Sequence, residues 1–231
     1  MGRRAARHGG AERGGPARRD RAVPAPAAGR ARRVRLPDEA WAVLEAWLPP
    51  DDDPDRPQVT LSTVDADGGP DARTVLLSSV ARDGLSFHTD ATSRKVAQIR
   101  ANPLVAVTVL WPGFTHQLVV RGRAEPADPP AVAAAYAARS PYLQQLAWLN
   151  THDFAALPLA ERRARWAAAE AEREARVATA GGTGLEPPPT WAGFVVRPTR
   201  VTAWSSAPDT ASRREEWVLG DGGWAHSHRA G

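Results

Sequence analysis

The 231-residue sequence predicts a mainly β protein with flanking helices, its strands rolled into a small barrel. Three observations carry that expectation. Short runs rich in β-branched residues recur between clusters of turn residues, beginning with 58–64. A short capped helix pattern, 92–100, interrupts them. A helical stretch over 129–177 then gives way to further strand patterns from Trp191 onward.

Taken in order, Leu36, Pro37, Asp38 and Glu39 open a first helix, with proline and acids at its start and Trp41, Leu44 and Trp47 on one face. Pro49 and Pro50 stop it, and an acidic loop, 51–55, follows. Strands are expected at 58–64 and 72–80, a hairpin joined through the turn residues 65–70. A third strand, 85–89, follows the Asp83–Gly84 turn. Asn102 and Pro103 end the short helix, and strands at 104–111 and 116–124 flank Pro112 and Gly113. Five strands around one helix suggest the barrel. Helices are expected at 131–139, 142–149 and 157–176, the last alanine- and arginine-rich with one solvated face. A glycine and proline connection, 181–189, leads to strands at 191–197, 200–204 and 216–219, the last pairing across Asp221 to Gly223 with Trp224 and its neighbours.

Length and a 42% hydrophobic content suit one ordinary domain, 35–231. It follows a tail, 1–34, of Arg, Ala, Gly and Pro, which has too little apolar surface to offset chain entropy and is expected to be disordered. Residues 1–35 hold eleven arginines against Glu12 and Asp20, a net +9, so the overall +4 leaves −5 for the remainder. The high isoelectric point therefore describes the tail, and a nucleic-acid partner is not expected of the folded part. No apolar run approaches the roughly 20 residues of a membrane-spanning helix, and Arg3 and Arg4 are followed by no apolar segment or cleavage-like site. A cytoplasmic protein with no membrane partner is expected. The absence of cysteine excludes disulfides, thiolate metal sites and cysteine nucleophiles, so redox chemistry needs a borrowed cofactor.

Lys95 is the chain's one lysine among many arginines, and it sits beside Ser93 and Arg94 at a helix start. Such a start presents unpaired amides and partial positive charge; a hydroxyl, a guanidinium and an ammonium placed there form a natural phosphate site. The plainer alternative is a capping serine beside solvated cations. Arg73, in Arg73-Thr-Val-Leu-Leu, is a further candidate. His226 and His228 alternate near the end, but with no third ligand in sequence no metal is expected there.

Together with Gly84-Leu-Ser-Phe-His-Thr, Ser93-Arg-Lys, Asn102-Pro103, Gln117-Leu-Val-Val-Arg-Gly and Trp191-Ala-Gly-Phe, in this order and spacing, these residues resemble the pyridoxine/pyridoxamine 5′-phosphate oxidase family. The resemblance implies a split β-barrel that binds FMN at a homodimer interface. It also implies that Arg73, Val75, Leu76, His88, Thr89, Ser93, Arg94, Lys95 and Gln117 contact the cofactor, with Trp204 and Arg214 reaching it from the partner subunit. Arg213 is the neighbouring alternative to Arg214. His88 stands where the family has tyrosine, and His152 and Asp153 stand where it has a glutamine-serine pair.

On the substrate side the resemblance assigns Ser78, Tyr136 and Arg139. Ser78 replaces the family's phosphate-binding lysine, Leu143 replaces a serine, and Thr210, Ala211 and Ser212 replace an arginine-leucine-histidine element. Losing two charge-assisted contacts at roughly 1.5–3 kcal/mol each would weaken phosphate binding by a few powers of ten. The implied activity is oxidation of an amine or alcohol carbon by flavin, with dioxygen as acceptor and a small-molecule substrate. Alternatives are a divergent oxidase of a non-phosphorylated, phenazine-like compound, and a non-catalytic flavin or deazaflavin binder. No catalytic acid or base is assigned; His88 and His152 are candidates.

Overall fold

The computed structural model describes residues 34–51, 53, 58–180 and 186–231. The expected disordered tail lies outside the described residues except for Val34, as do most of the acidic loop and 181–185 of the glycine-rich connection.

The elements run α1 (Asp38–Trp47), β1 (Gln58–Val64), β2 (Pro70–Ala81), β3 (Gly84–Asp90), α2 (Arg94–Ala101), β4 (Leu104–Leu110), β5 (His116–Pro126), α3 (Pro129–Ala137), α4 (Pro141–Leu149), α5 (His152–Ala156), α6 (Leu159–Ala180), β6 (Trp191–Ser205), β7 (Arg213–Gly220) and β8 (Gly223–Ala230). One antiparallel sheet has the order β3-β2-β1-β4-β5-β6-β7-β8, and an added β3–β6 pairing closes its first six strands into a barrel. The barrel thus has six strands where the sequence suggests five. The sixth is β6, whose first half pairs with β3 and whose second half, from Arg200, pairs with β7.

β6 is a single strand where two are expected, because Pro198 is absorbed rather than avoided. Its partner β5 shifts register between Arg121 and Gly122. A Cβ on Gly122 would lie 2.0 Å from the Arg197 carbonyl oxygen, so only glycine permits this approach. The long helix expected at 157–176 is α6, which starts after Pro158, where a proline at a helix start is tolerated, and the short α5 precedes it in a stretch where no element is expected.

Alternation along the strands builds the core. Val59, Leu61 and Thr63 of β1 point inward, as do Val75 and Leu77 of β2 and Leu118 and Val120 of β5. Phe87 and Phe194, register partners across the closing seam, stack at 5.6 Å. α1 buries Ala40 and Leu44, while α2 buries Val96 and Ile99 against the same cluster. Full burial of each of these valine, leucine and isoleucine side chains contributes roughly 1.5–3 kcal/mol.

A polar knot sits under α2. Arg73 donates from Nη1 to Thr63 Oγ1 (2.6 Å) and to the Leu61 carbonyl (3.3 Å), and from Nη2 to Gln98 Oε1 (2.8 Å). Thr63 Oγ1 donates to the same Gln98 oxygen at 2.7 Å, and Gln98 Nε2 donates to Asp71 Oδ2 at 2.9 Å. Asp71 also pairs with Arg73 at 2.7 Å and with Arg94 at 3.3 Å. Buried polar groups that satisfy one another in this way fix α2 against the β1–β2 hairpin.

Candidate functional site

Seven of the sequence-selected residues line one cleft of ≈ 210 Å³: Val75, Leu76, His88, Thr89, Ser93, Lys95 and Arg139. The fold brings them together from four places. β2 contributes Leu76 from its outward face with the buried Val75 beside it, β3 ends at the cleft, α2 begins there, and Arg139 comes from the connection between α3 and α4. Thr74, Asp90, Leu146, Ala147, Asn150 and Trp191 complete the lining together with Leu143.

The start of α2 is open. Ser93 is the N-cap, yet its hydroxyl donates to the Asp90 carbonyl at 2.7 Å instead of accepting from the first helical turn. The capping alternative is therefore not what the side chain does, and no acid lies in that turn to neutralise it. Lys95 Nζ donates to Thr89 Oγ1 at 3.0 Å. Burial and then the neighbouring Arg73 charge lower the Lys95 pKa, with Asp90 opposing them. For Asp90 burial acts upward but is outweighed by hydrogen bonds from Thr92 and Thr190 and by the Lys95 charge, so its carboxylate stays below its usual range. The cations here are crowded, and an added anion would relieve them.

The opposite wall is aromatic. The His88 ring stacks on Trp191 at 5.3 Å with 9° between planes, Arg139 Cζ lies 4.7 Å from the Trp191 ring, and Tyr136 meets it edge-on at 5.5 Å. Trp191 is anchored by Nε1 donating to the Val132 carbonyl at 3.1 Å. His88 Nδ1 lies 2.7 Å from Ser78 Oγ, and its Nε2 is buried without a partner. Burial, with the Arg139 charge adding to it, pushes the His88 pKa down to about 4. Gly193 makes room for this ring: a Cβ there would stand 2.7 Å from His88 Nε2.

Other selected residues lie elsewhere. Arg73 faces inward, with both Nη groups taken up by the polar knot, and Arg94 is largely exposed beside Asp71. Tyr136 is buried behind Trp191, where its hydroxyl donates to the Gln144 carbonyl at 3.3 Å and accepts from Trp148 Nε1 at 3.1 Å. His152 is exposed at the start of α5, away from the cleft lining. Gln117, Trp204 and Arg214 form a separate row: Gln117 is the register partner of Trp204, and Trp204 of Arg214, across β5, β6 and β7. A second cleft of ≈ 250 Å³, between α4 and α6, is lined by Trp148, Leu149, Arg173 and others and contains none of the selected residues.

Sequence reasoning missed Trp191 as a site residue, although the glycine two positions later was the signal, since His88 needs that space. It also missed Glu215. In sequence His226 and His228 show no third ligand-type group; across the terminal hairpin the fold sets the Glu215 carboxylate beside both.

The chain matches the family pattern of pyridoxamine 5′-phosphate oxidase over residues 43–168. It is 36% identical over 203 residues to the pyridoxine/pyridoxamine 5′-phosphate oxidase of Chromobacterium violaceum, covering 84% of this chain and 89% of that protein. The Caulobacter vibrioides enzyme of the same name is 32% identical over 194 residues, 81% and 82% of the two chains. Among solved structures, PhzG from Burkholderia lata 383 in complex with tetrahydrophenazine-1-carboxylic acid superimposes with a TM-score of 0.68 at 20% identity, over 84% of this chain and 89% of that one. A pyridoxamine 5′-phosphate oxidase-related, FMN binding protein from Nostoc punctiforme PCC 73102 gives 0.56 at 18% identity, over 84% and 94%. No described helix is long and apolar enough to cross a membrane. With this fold, this span of the family pattern and these identities, the chain belongs to the pyridoxamine 5′-phosphate oxidase family.

Proposed function

We propose that this protein is an FMN-dependent oxidase of a small molecule, working as a homodimer with the cofactor between subunits. The observation that carries the reading is the meeting, in one cleft, of the uncapped α2 start, the Lys95 ammonium and the outward face of β2. Those groups fit a phosphate-bearing planar cofactor. The Lys95 ammonium and first-turn amides would hold its phosphate, and the β2 segment at Val75 and Leu76 would meet the rest. Arg73 acts one step back, fixing α2 through Gln98.

At ≈ 210 Å³ the cleft is below the roughly 300 Å³ at which small-molecule pockets begin, which supports a site completed by a second copy. The row of Gln117, Trp204 and Arg214 is the surface such a copy would contribute. The chemistry supplied by FMN when bound is acceptance of a hydride from a carbon bearing an amine or alcohol, with dioxygen as final acceptor and hydrogen peroxide as its product. The chain's own part is orientation: His88, Trp191 and Arg139 form a wall against which a flat substrate can lie. With its low pKa, His88 is neutral at pH 7 and adds no charge there.

Within that activity, a substrate without a phosphate is favoured over pyridoxamine phosphate. Ser78 brings no charge, and its hydroxyl is engaged by His88. Arg139, held over the Trp191 ring, gives this wall a positive charge, which a substrate carboxylate complements as well as a phosphate does.

The experiment is a visible spectrum of the purified chain, followed by titration with FMN. Flavin absorbance near one per chain is expected, and Lys95→Ala should weaken retention by about tenfold or more. A colourless protein that takes up no added FMN would sink the reading. Peroxide release is then compared for pyridoxamine phosphate, pyridoxamine and tetrahydrophenazine-1-carboxylic acid. Faster turnover of pyridoxamine phosphate would refute the non-phosphorylated substrate while leaving the cofactor intact.

A further inference from the structure

The terminal hairpin carries a second cluster, on the face opposite Arg214. β7 and β8 pair in register with Glu215 opposite His228 and Trp217 opposite His226. Alternate residues of a strand share a face, so both imidazoles and the Glu215 carboxylate project to the same side. His226 Nε2 is 3.3 Å and His228 Nε2 4.0 Å from Glu215 Oε2, and the three ligand-type atoms all lie within 4.8 Å of one another. Bonds of about 2.0–2.1 Å in a tetrahedral zinc site separate neighbouring donors by about 3.3 Å. One pair already has that spacing, and the remaining contraction is within the rotamer freedom of side chains 29% to 54% exposed.

The surroundings orient the set. Arg213 Nη2 donates to Glu215 Oε1 at 2.8 Å, which leaves Oε2 directed at the imidazoles. The buried Trp217 indole stacks on His226 at 4.7 Å with 6° between planes and fixes that ring. A simple surface ion pair accounts for His226 and Glu215 but not for His228, whose 4.0 Å separation is no hydrogen bond. Convergence of two imidazole nitrogens on one carboxylate oxygen is the donor set of a borderline divalent metal, and it lacks the many oxygens that magnesium or calcium require.

We propose that Glu215, His226 and His228 bind one zinc-class divalent ion, with a fourth position open to water. The ion would tie β8, paired only to β7, across to the strand that carries Arg214. This inference stands apart from the flavin reading, since none of the three residues belongs to the cleft or to the row of Gln117, Trp204 and Arg214.

The test uses the full chain, stripped with a chelator and titrated with zinc against a chromogenic competitor. One ion per chain is expected, with His226→Ala, His228→Ala and Glu215→Gln each lowering affinity by about tenfold or more. Cobalt added to the unaltered chain is expected to give visible bands of a four-coordinate centre, a readout that does not depend on any variant folding. Absence of zinc binding at about 100 µM, where even a weak site would raise thermal stability, would overturn the proposal. So would unchanged binding in the His226→Ala/His228→Ala double variant, or a cobalt spectrum of the hydrated ion only.

Discussion

His88 and Ser78 share a 2.7 Å contact between Nδ1 and Oγ, joining β3 to β2 at the edge of the cleft. Both residues depart from the family resemblance, and they depart together: a neutral imidazole takes up the hydroxyl that stands where a lysine would bring a charge. The pair makes this corner of the cleft polar but uncharged.

Ser78→Lys should therefore restore a phosphate contact. One charge-assisted hydrogen bond contributes roughly 1.5–3 kcal/mol, so kcat/KM for pyridoxamine phosphate should rise by about 10- to 100-fold, with little change for unphosphorylated pyridoxamine. Steady-state peroxide production checks it. An equal effect on both substrates would mean that the introduced ammonium does not reach the phosphate.

His88 also sets a pH dependence of stability. Its pKa in the folded chain, about 4, is below the unfolded value near 6.5, so the unfolded state takes up a proton first as the medium is acidified. The contribution is fully present above about pH 6.5 and is lost as pH falls through the window down to about 4. Allowing for partial exposure, the loss is about 1–2 kcal/mol. Urea unfolding of the flavin-free protein at several pH values should show it, and His88→Phe should flatten that part of the profile. A profile identical in the variant would remove His88 as its source.

Much of the fold is legible in the sequence because alternation and turn chemistry act locally. β1, with Val59, Leu61 and Thr63 inward, and the hairpin of β7 and β8 are read directly. The closing strand is not, since Pro198 reads as a break and only the distant Gly122 explains how β6 runs through it. The same limit applies at the site. Ser93 and Lys95 announce themselves beside a helix start, whereas the use of Arg73 depends on Thr63, Gln98 and Asp71, which no local pattern connects. Trp191 and Glu215 become site candidates only once strand register sets them beside His88 and His226.

The polar knot makes Arg73 a positioning residue with a measurable signature. Arg73→Ala leaves the Thr63 oxygen without its donor and the Gln98 oxygen with Thr63 as its remaining one, both residues being buried, at an expected cost of about 2–4 kcal/mol. Gln98→Ala removes the same link from the other side, so the double variant should lose clearly less than the sum of the two. Additive losses in a denaturation cycle would show that the two side chains act independently. Asp71 gives the knot an acid limit: the hydrogen bond from Gln98, then the Arg73 and Arg94 charges, hold its carboxyl below the usual range despite some desolvation. Its contribution persists above the ordinary carboxylate pKa and fades as pH falls below it.

A cofactor site shared between subunits makes a prediction that a single-chain site does not. Lys95 lies in the cleft, while Arg214 lies on β7 in the row with Trp204 and Gln117. If one copy supplies the cleft and the other the row, Lys95→Ala and Arg214→Ala homodimers are each defective at both of their sites. Mixing the two variants under exchange conditions forms heterodimers in which one site carries both lesions and the other carries none. Flavin retention and turnover should then recover, up to about half of one site per dimer on average if exchange is statistical. Sedimentation of the mixture confirms that the dimer persists, and tagged subunits allow the heterodimer to be isolated. Isolated heterodimers as inactive as either parent would place Lys95 and Arg214 in the same subunit's site.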